Sequence, residues 1–222
     1  MLTVHHLNQS RSKRILWLLE ELEMPYQKID HQRDAQTHLA PASLKAVHPL
    51  SKAPVIVDRL NASNDCDSSD SNESEITLCE SSTIMEYILD KNAQNPVTDK
   101  ILRPKAGTKE YYQYLEWSHF AEGSLAMPVM FTLFMGMESR HGDQPMDGYV
   151  AKEVGLDFGY IESTLAQREY FAGSEFTAAD IMMTIILEIA ASNGLLKDHE
   201  KMQAYLVKVQ QRPAYQKTAS FG

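Results

Sequence analysis

Residues 1–90 of the sequence alternate between short strand-like runs and helical runs, whereas the rest of the chain is helical throughout. Apolar residues of the first helical run recur at the spacing of one helix face, and Pro25 ends that run. The predicted elements are strands at 2–7, 26–29, 55–57 and 76–79 and helices at 15–22, at 36–47 and from 80 onward. The order β-α-β-α-β-β-α combines a parallel unit with a terminal hairpin, so we predict a small central sheet covered by helices.

The second part of the chain has a different periodicity. Residues 91–104 have the composition of a linker, and residues 105–222 carry only helical patterns. The clearest helix start has Thr177 as the N-cap, with Asp180 three residues later positioned to bond back to the cap amide. We therefore predict an α/β domain at 1–90, a linker, and an all-α domain.

Charge and cysteine content limit the class of protein. The net charge of −9 disfavours a nucleic-acid partner, because phosphate binding needs a basic surface. The two cysteines, Cys66 and Cys79, do not make a disulfide framework in a chain of 222 residues. No uninterrupted apolar run approaches the roughly 18 residues of a membrane helix, and no export signal opens the sequence. We expect a cytoplasmic protein without a membrane or nucleic-acid partner.

The stretch 61–75 is acidic, rich in serine and almost free of apolar residues. Burial therefore cannot offset the entropy lost on ordering it. We interpret it as a solvated, mobile hairpin tip, with a metal-binding or phosphorylated loop as the less favoured alternative, and we predict no metal site for the protein.

Four motifs follow one another along the sequence. They are the run 10–14 ahead of the helix at 17–22, the loop 48–54, the pair Glu80-Ser81, and the capping segment 176–180. Each motif is weak alone, but together and at these separations they are fairly specific. Over nearly its whole length the sequence resembles the glutathione transferase superfamily. Residues 17–22, 48–54 and 122–125 look closest to the bacterial and fungal branch that resembles the yeast enzymes.

This resemblance implies a thioredoxin-like N-terminal domain, an all-α C-terminal domain and a homodimer. It also implies glutathione as the co-substrate and a hydrophobic electrophile as its partner in a detoxification reaction. The expected activity is transfer of glutathione to the electrophile, or reduction of peroxides with glutathione. The alternative is a non-catalytic module of the same fold that serves an interaction or stress-regulatory role.

The resemblance assigns glutathione binding to two segments and a lysine. A tripeptide with two carboxylates needs a strand-like edge, an anion site and a cation. Ala53, Pro54 and Val55 would supply the edge, with a cis Pro54 bond as in the family, and Lys52 would face the glycyl carboxylate. An ordinary trans proline and a solvated lysine are the alternatives.

Glu80 and Ser81 open a helix, where unpaired N–H groups and the helix dipole favour an anion. Ser81 would hold the γ-glutamyl carboxylate with its hydroxyl and amide, and Glu80 would contact the neighbouring ammonium group. A plain capping serine is the alternative, since many helices begin with one.

The catalytic group is expected to be a serine, because the loop before the first helix holds no tyrosine or cysteine. A free cysteine thiol has a pKa of about 8.5, and a hydrogen bond donated to the sulfur favours the thiolate. Ser10 is preferred for this role over Ser12, which lies closer to the helix and would serve as its N-cap. The sequence departs from the family at Ser51, where glycine is usual, so a positive φ there would strain the serine by roughly 1 kcal/mol.

The acceptor pocket is expected on the first helices after the linker, where methionine and aromatic side chains suit loosely shaped electrophiles. The candidates are Tyr111, Tyr112, Trp117, Met127, Met130, Phe131 and Phe134. For most of them an ordinary place in a helix-bundle core is the competing interpretation.

Overall fold

The structure, a computed structural model, describes residues 1–59, 75–142, 144–219 and 221. Two compact units make up the chain, Met1–Lys100 with Pro213–Gly222, and Ile101–Arg212. The boundary between them falls inside the predicted linker, but residues 213–222 join the first unit, whereas the sequence assigned them to the helical second domain. Cys66 and all but the last residue of the acidic stretch 61–75 lie outside the described residues.

The first unit contains a four-stranded sheet in the order β2-β1-β3-β4. The strands are β1 at Thr3–Leu7, β2 at Gln27–His31, β3 at Val55–Arg59 and β4 at Glu75–Cys79. β1 is parallel to β2 and antiparallel to β3, and β3 is antiparallel to β4. This arrangement confirms the predicted parallel unit followed by a hairpin.

The described residues of the first unit also form four helices: α1 at Lys13–Glu21, α2 at Ala42–Val47, α3 at Ser81–Gln94 and α9 at Pro213–Ala219. The apolar face of α1, from Ile15 to Leu19, is fully buried. The Trp17 ring meets the Tyr215 ring edge-on at 5.0 Å, and the Lys13 ammonium donates to the Tyr215 hydroxyl at 2.9 Å. These contacts with α1 explain why α9 belongs to the first unit.

The predicted helix at 36–47 is wrong in its first half, because α2 begins only at Ala42. Upstream, the Asp34 carboxylate accepts the backbone N–H groups of Gln36 and Thr37 at 3.0 and 2.8 Å. Such a turn, closed by an aspartate side chain, competes with helical hydrogen bonding. These hydrogen bonds from Thr37 and Gln36 also lower the pKa of Asp34.

The second unit is helical. Its elements are α4 at Lys109–Phe120, a π-helical turn at Ala121–Leu125, α5 at Ala126–Met137, α6 at Pro145–Leu165, α7 at Ala178–Ser192 and α8 at Glu200–Gln210. The fully buried Trp117 of α4 stacks on Tyr160 of α6 at 4.8 Å, and Phe171 lies 4.7 Å from the same indole. An aromatic core therefore joins α4 to α6.

The start of α7 has the predicted capping box. The Thr177 backbone N–H donates to Asp180 Oδ2 at 2.8 Å, and Thr177 caps the third residue of the helix in return. The same buried carboxylate also accepts the Phe171 N–H at 3.1 Å and the Tyr205 hydroxyl at 2.9 Å. Asp180 therefore ties α7 both to the segment before it and to α8.

One continuous helix in the described part of the chain, Lys109–Met137, is long and apolar enough to cross a membrane by length and composition. Its most apolar 18-residue stretch has a mean hydropathy of 1.3, and 28% of that stretch is buried. Core helices of water-soluble proteins meet the same two criteria, so they do not establish a membrane span.

Candidate functional site

The predicted site residues of the first unit converge on one end of its sheet. Val55, the first residue of β3, is in register with His5 of β1 on one side and with Cys79 of β4 on the other. Because both pairs are antiparallel, the start of β3 lies beside the last residue of β4 and the middle of β1, so the last residues of β1 extend past it. The loop after β1, the residues before β3 and the pair Glu80-Ser81 are thereby brought together.

The segment before β3 has the backbone that the resemblance implies. The Ala53–Pro54 peptide bond is cis, and Val55 is fully buried at the start of the central strand. Lys52 is exposed. Ser51 has φ of +50°, and its N–H donates to the His48 carbonyl at 2.9 Å. The position therefore does take the left-handed conformation that favours glycine.

Glu80 and Ser81 stand at the junction of β4 and α3. Glu80 is the N-cap residue with φ of +74° and ψ of 118°, a strained conformation for a residue with a side chain. Ser81 is the first residue of the helix and is only 6% exposed. Its hydroxyl accepts a hydrogen bond from Arg14 Nη1 of α1 at 3.5 Å. A helix N-terminus, a hydroxyl and a buried guanidinium thus coincide, which is an arrangement suited to a carboxylate.

Sequence reasoning missed Arg14, which is fully buried. A signal was available, because Arg14 is four residues before Leu18 and lies on the apolar face of α1. A charged residue on that face needs a polar partner, and the partner could have been sought among the predicted binding residues. The positive φ of Glu80 left no comparable signal in the sequence.

The two candidate serines have different surroundings. Ser12 is fully buried at the start of α1 and makes no side-chain capping bond. Its Oγ lies 2.8 Å from His6 Nδ1, 2.7 Å from Ser10 Oγ and 3.3 Å from the Leu7 backbone N, which donates to it. The buried Ser12 hydroxyl therefore links residues on both sides of the turn between β1 and α1.

Ser10 is half-buried, and its Oγ accepts the Ser12 backbone N–H at 3.2 Å in addition to its contact with the Ser12 hydroxyl. Of the two serines, Ser10 is the one whose side chain retains solvent exposure. This difference in burial supports the preference for Ser10 as the residue that faces a substrate.

The candidate acceptor residues divide between core and surface. Trp117 is fully buried in the aromatic core of the second unit, whereas Tyr112 is exposed. Phe131 and Phe134 are exposed and line an open cavity of about 730 Å³ at the end of α5, together with His141. Within the described ranges, no group of three or more histidine, cysteine, aspartate or glutamate side chains is placed to hold a metal ion.

Comparison with known proteins shows matches across both units. Residues 10–91 match the family described as "Glutathione S-transferase, N-terminal domain", and residues 124–213 match "Glutathione S-transferase, C-terminal domain". Glutathione S-transferase 3 of Schizosaccharomyces pombe is 30% identical over 96% of this chain and 85% of its own length.

Solved structures agree in fold. A glutathione S-transferase from Actinobacillus pleuropneumoniae superposes with a TM-score of 0.80 at 28% identity, covering 99% of this chain and 92% of that chain. A glutathione transferase from Phanerochaete chrysosporium in complex with oxidized glutathione superposes with a TM-score of 0.74 at 23% identity, covering 99% and 94% of the two chains. At 23% identity, this second similarity supports a shared fold and nothing more.

Proposed function

Because the chain belongs to the cytosolic glutathione transferase superfamily, we propose that it binds glutathione at the sheet end described above and activates the thiol with Ser10. The thiolate then attacks an electrophilic small molecule. The observation that carries this proposal is the meeting of the Ser10 loop, the cis Pro54 segment and the Ser81–Arg14 pair at one end of one sheet.

The γ-glutamyl end of glutathione is assigned to Ser81. Its hydroxyl and the first amides of α3 donate to the carboxylate, and the buried Arg14 guanidinium supplies a full positive charge next to them. Glu80, held at the entrance to α3, is assigned to the ammonium group of the same residue.

The rest of the tripeptide is assigned to the segment before β3. Val55 offers its backbone to the cysteinyl residue, with Ala53 and the cis Pro54 shaping the approach. The exposed Lys52 is assigned to the glycyl carboxylate, where its charge is solvated before binding.

Ser10 is assigned the role of activating the glutathione thiol. At pH 7 only a few per cent of a thiol with a pKa of about 8.5 is ionised. Lowering that pKa by about two units makes the thiolate the main form and corresponds to about 2.7 kcal/mol. A donated hydrogen bond from a partly buried hydroxyl, aided by the positive end of a nearby helix, provides stabilisation of this order.

Superfamily membership also supports a homodimer, a cytoplasmic location and a role in detoxification, which we include in the proposal. The exposed apolar side chains Phe131, Phe134 and Met137 of α5 support a hydrophobic contact surface in the second unit, for an acceptor or for a second subunit. Peroxide reduction with glutathione is the second candidate reaction, since it uses the same thiolate.

The function is tested by retention on immobilised glutathione, followed by turnover of a chromogenic halogenated aromatic and of an organic peroxide. We expect retention and measurable turnover of at least one of the two. Retention without turnover of either would favour a non-catalytic binding module, and the absence of retention would refute the proposed site.

A further inference from the structure

A continuous chain of hydrogen bonds runs from the protein interior to Ser10. His6 Nε2 lies 3.0 Å from the Phe221 carbonyl oxygen, and His6 Nδ1 lies 2.8 Å from Ser12 Oγ. Ser12 Oγ in turn lies 2.7 Å from Ser10 Oγ and accepts the Leu7 N–H at 3.3 Å. Three side chains and two backbone groups are therefore linked. Of the three side chains, His6 and Ser12 are buried and Ser10 retains solvent exposure.

The direction of each bond in this chain follows from the Phe221 carbonyl. A carbonyl oxygen only accepts, so His6 Nε2 carries a proton and donates it there. In a neutral imidazole the other nitrogen then has no proton, so Nδ1 accepts from the Ser12 hydroxyl. Ser12 has only one proton to give, and the 2.8 Å contact with Nδ1 takes it in preference to the longer 3.4 Å contact with the Leu7 carbonyl oxygen. The contact between the two hydroxyls is therefore a donation from Ser10 to Ser12.

The resting arrangement therefore turns the Ser10 proton away from the substrate. Ser10 also accepts the Ser12 backbone N–H at 3.2 Å, so what it offers outward is a lone pair. A lone pair accepts a hydrogen bond from a neutral thiol, but it does not stabilise a thiolate. Activation by Ser10 thus requires the chain of bonds to change.

We propose that Ser10, Ser12 and His6 form a proton relay. When Ser10 activates the thiol, the net result is the transfer of one proton from the thiol to His6 Nδ1; this inference rests on the proposed function. The thiol S–H bond breaks as its proton binds Ser10 Oγ, the former Ser10 proton moves to Ser12 Oγ, and the former Ser12 proton moves to His6 Nδ1. The products are a thiolate and an imidazolium, and no proton leaves the site. Ser10 then donates outward to the sulfur, while Ser12 and His6 act as positioning residues.

The surroundings of His6 keep it neutral until a thiolate forms. Burial lowers the pKa of His6, and Lys28 and His31 on the adjacent strand lower it further, whereas the Phe221 carbonyl and Asp30 raise it. Proton uptake by an isolated His6 is therefore unfavourable near neutral pH. A thiolate at the other end of the chain supplies the opposite charge that favours the imidazolium.

A simple rotation of the Ser10 hydroxyl is the competing event. It breaks the 2.7 Å contact with Ser12 and releases the thiol proton to solvent, with His6 unchanged. The two events differ in where the proton goes, so a proton count separates them.

The decisive experiment measures thiolate formation and proton release together at about pH 7, where an unassisted thiol is mostly protonated. Thiolate is followed by its ultraviolet absorbance on glutathione binding. Proton release is obtained by calorimetry in buffers of different ionisation enthalpy, with S-methylglutathione as the ligand that has no thiol proton. Because the relay keeps the thiol proton in the site, we expect thiolate to form with almost no net proton release. One proton released per thiolate would overturn the relay and leave Ser10 activation intact.

Two variants and a neighbouring histidine sharpen the result. His6→Asn and Ser12→Ala cut the relay, so proton release should rise to match whatever thiolate forms. His5→Asn is the matched control, because His5 is also buried on β1 but its Nδ1 faces His31 at 3.0 Å and not the serines. It should keep the wild-type ratio of protons to thiolate.

Nitrogen NMR of the histidine rings gives an answer that needs no variant. His6 should carry a proton on Nε2 alone in the free protein and on both nitrogens when glutathione is bound. A neutral His6 in the presence of bound thiolate would contradict the relay. A failure to bind glutathione or to form any thiolate would refute the proposed function, and the relay with it.

Discussion

Each unit of the molecule contains a buried hub of polar hydrogen bonds, Ser12 in the first and Asp180 in the second, and these two hubs differ in whether their protons can be rearranged. In the second unit, the Asp180 carboxylate receives bonds from Thr177, Phe171 and Tyr205. An ionised carboxylate only accepts, so every bond there has a single direction. In the first unit, the Ser12 hydroxyl lies between His6 and Ser10 and can donate to either.

The Asp180 hub therefore stabilises the fold, whereas the Ser12 hub is suited to proton transfer. Burial raises the pKa of Asp180, whereas its hydrogen bonds act in the opposite direction and favour the ionised form that completes the network. The Ser12 hub consists of hydroxyl and imidazole groups that can each donate or accept, so its protons can shift when the charge at its exposed end changes. The hydrogen bonds to Asp180 hold α7 in place, and the hydrogen bonds of Ser12 can change direction when Ser10 acts.

Ser10→Ala is the variant with the largest expected effect. Removing one donor to a developing or stabilised anion lowers kcat by about 100- to 1000-fold. We expect the dissociation constant of glutathione to change by less than about threefold, since the hydroxyl matters mostly to the thiolate. Steady-state turnover and calorimetric binding measure the two quantities.

Ser10→Thr, which keeps the hydroxyl, is the matched control and should recover part of the lost turnover. If Ser12→Ala abolished turnover while Ser10→Ala had no effect, the assignment of the two serines would be reversed.

Asp180→Ala tests the fixed hub. It leaves the buried N–H groups of Thr177 and Phe171 without their acceptor, so the free energy of unfolding should fall by about 2–4 kcal/mol. Urea denaturation followed by circular dichroism provides the measurement, and the exposed Asp198→Ala is the control. Glutathione binding by the folded variant should remain within about twofold of wild type. A loss of binding greater than the loss of folded protein would show that the two hubs are coupled.

Ser81→Ala tests the anion site next to the reversible hub. Loss of a hydroxyl that helps bind a carboxylate should weaken glutathione binding by about 1–2 kcal/mol, or roughly 5- to 30-fold. Ser82→Ala changes the next position of the same helix and should have little effect. Equal affinities for wild type and Ser81→Ala would remove the anion-site assignment.

Ser51→Gly has the smallest expected effect. Glycine relieves the positive φ at this position, so the free energy of unfolding should rise by about 0.5–1 kcal/mol. The exposed helical position Ser163 provides a control of opposite sign, because Ser163→Gly should lower stability by a similar amount. A destabilised Ser51→Gly would mean that the serine side chain, not its backbone, supports the loop.

The sequence by itself determined the features that depend on residues close together along the chain. The Thr177–Asp180 capping box, the buried face of α1 and the order of strands and helices along the first 90 residues follow from local pattern, and the structure has all three. The segments proposed for the site were chosen because short motifs in a fixed order resemble one superfamily, and the structure brings these segments together at one end of the sheet. The helix at 36–47 failed where a single side chain, Asp34, redirects the backbone into a turn.

Only the tertiary structure decided which groups meet. Ser10 and Ser12 differ by two positions in the sequence, yet folding leaves one half-exposed and surrounds the other with partners from β1. Arg14 reaches Ser81 across 67 positions, and Phe221 reaches His6 across 215. Position in the loop allowed Ser10 to be preferred over Ser12. Burial and hydrogen-bond direction depend on distant contacts, so neither the different burial of the two serines nor the proposed relay could be predicted from local pattern.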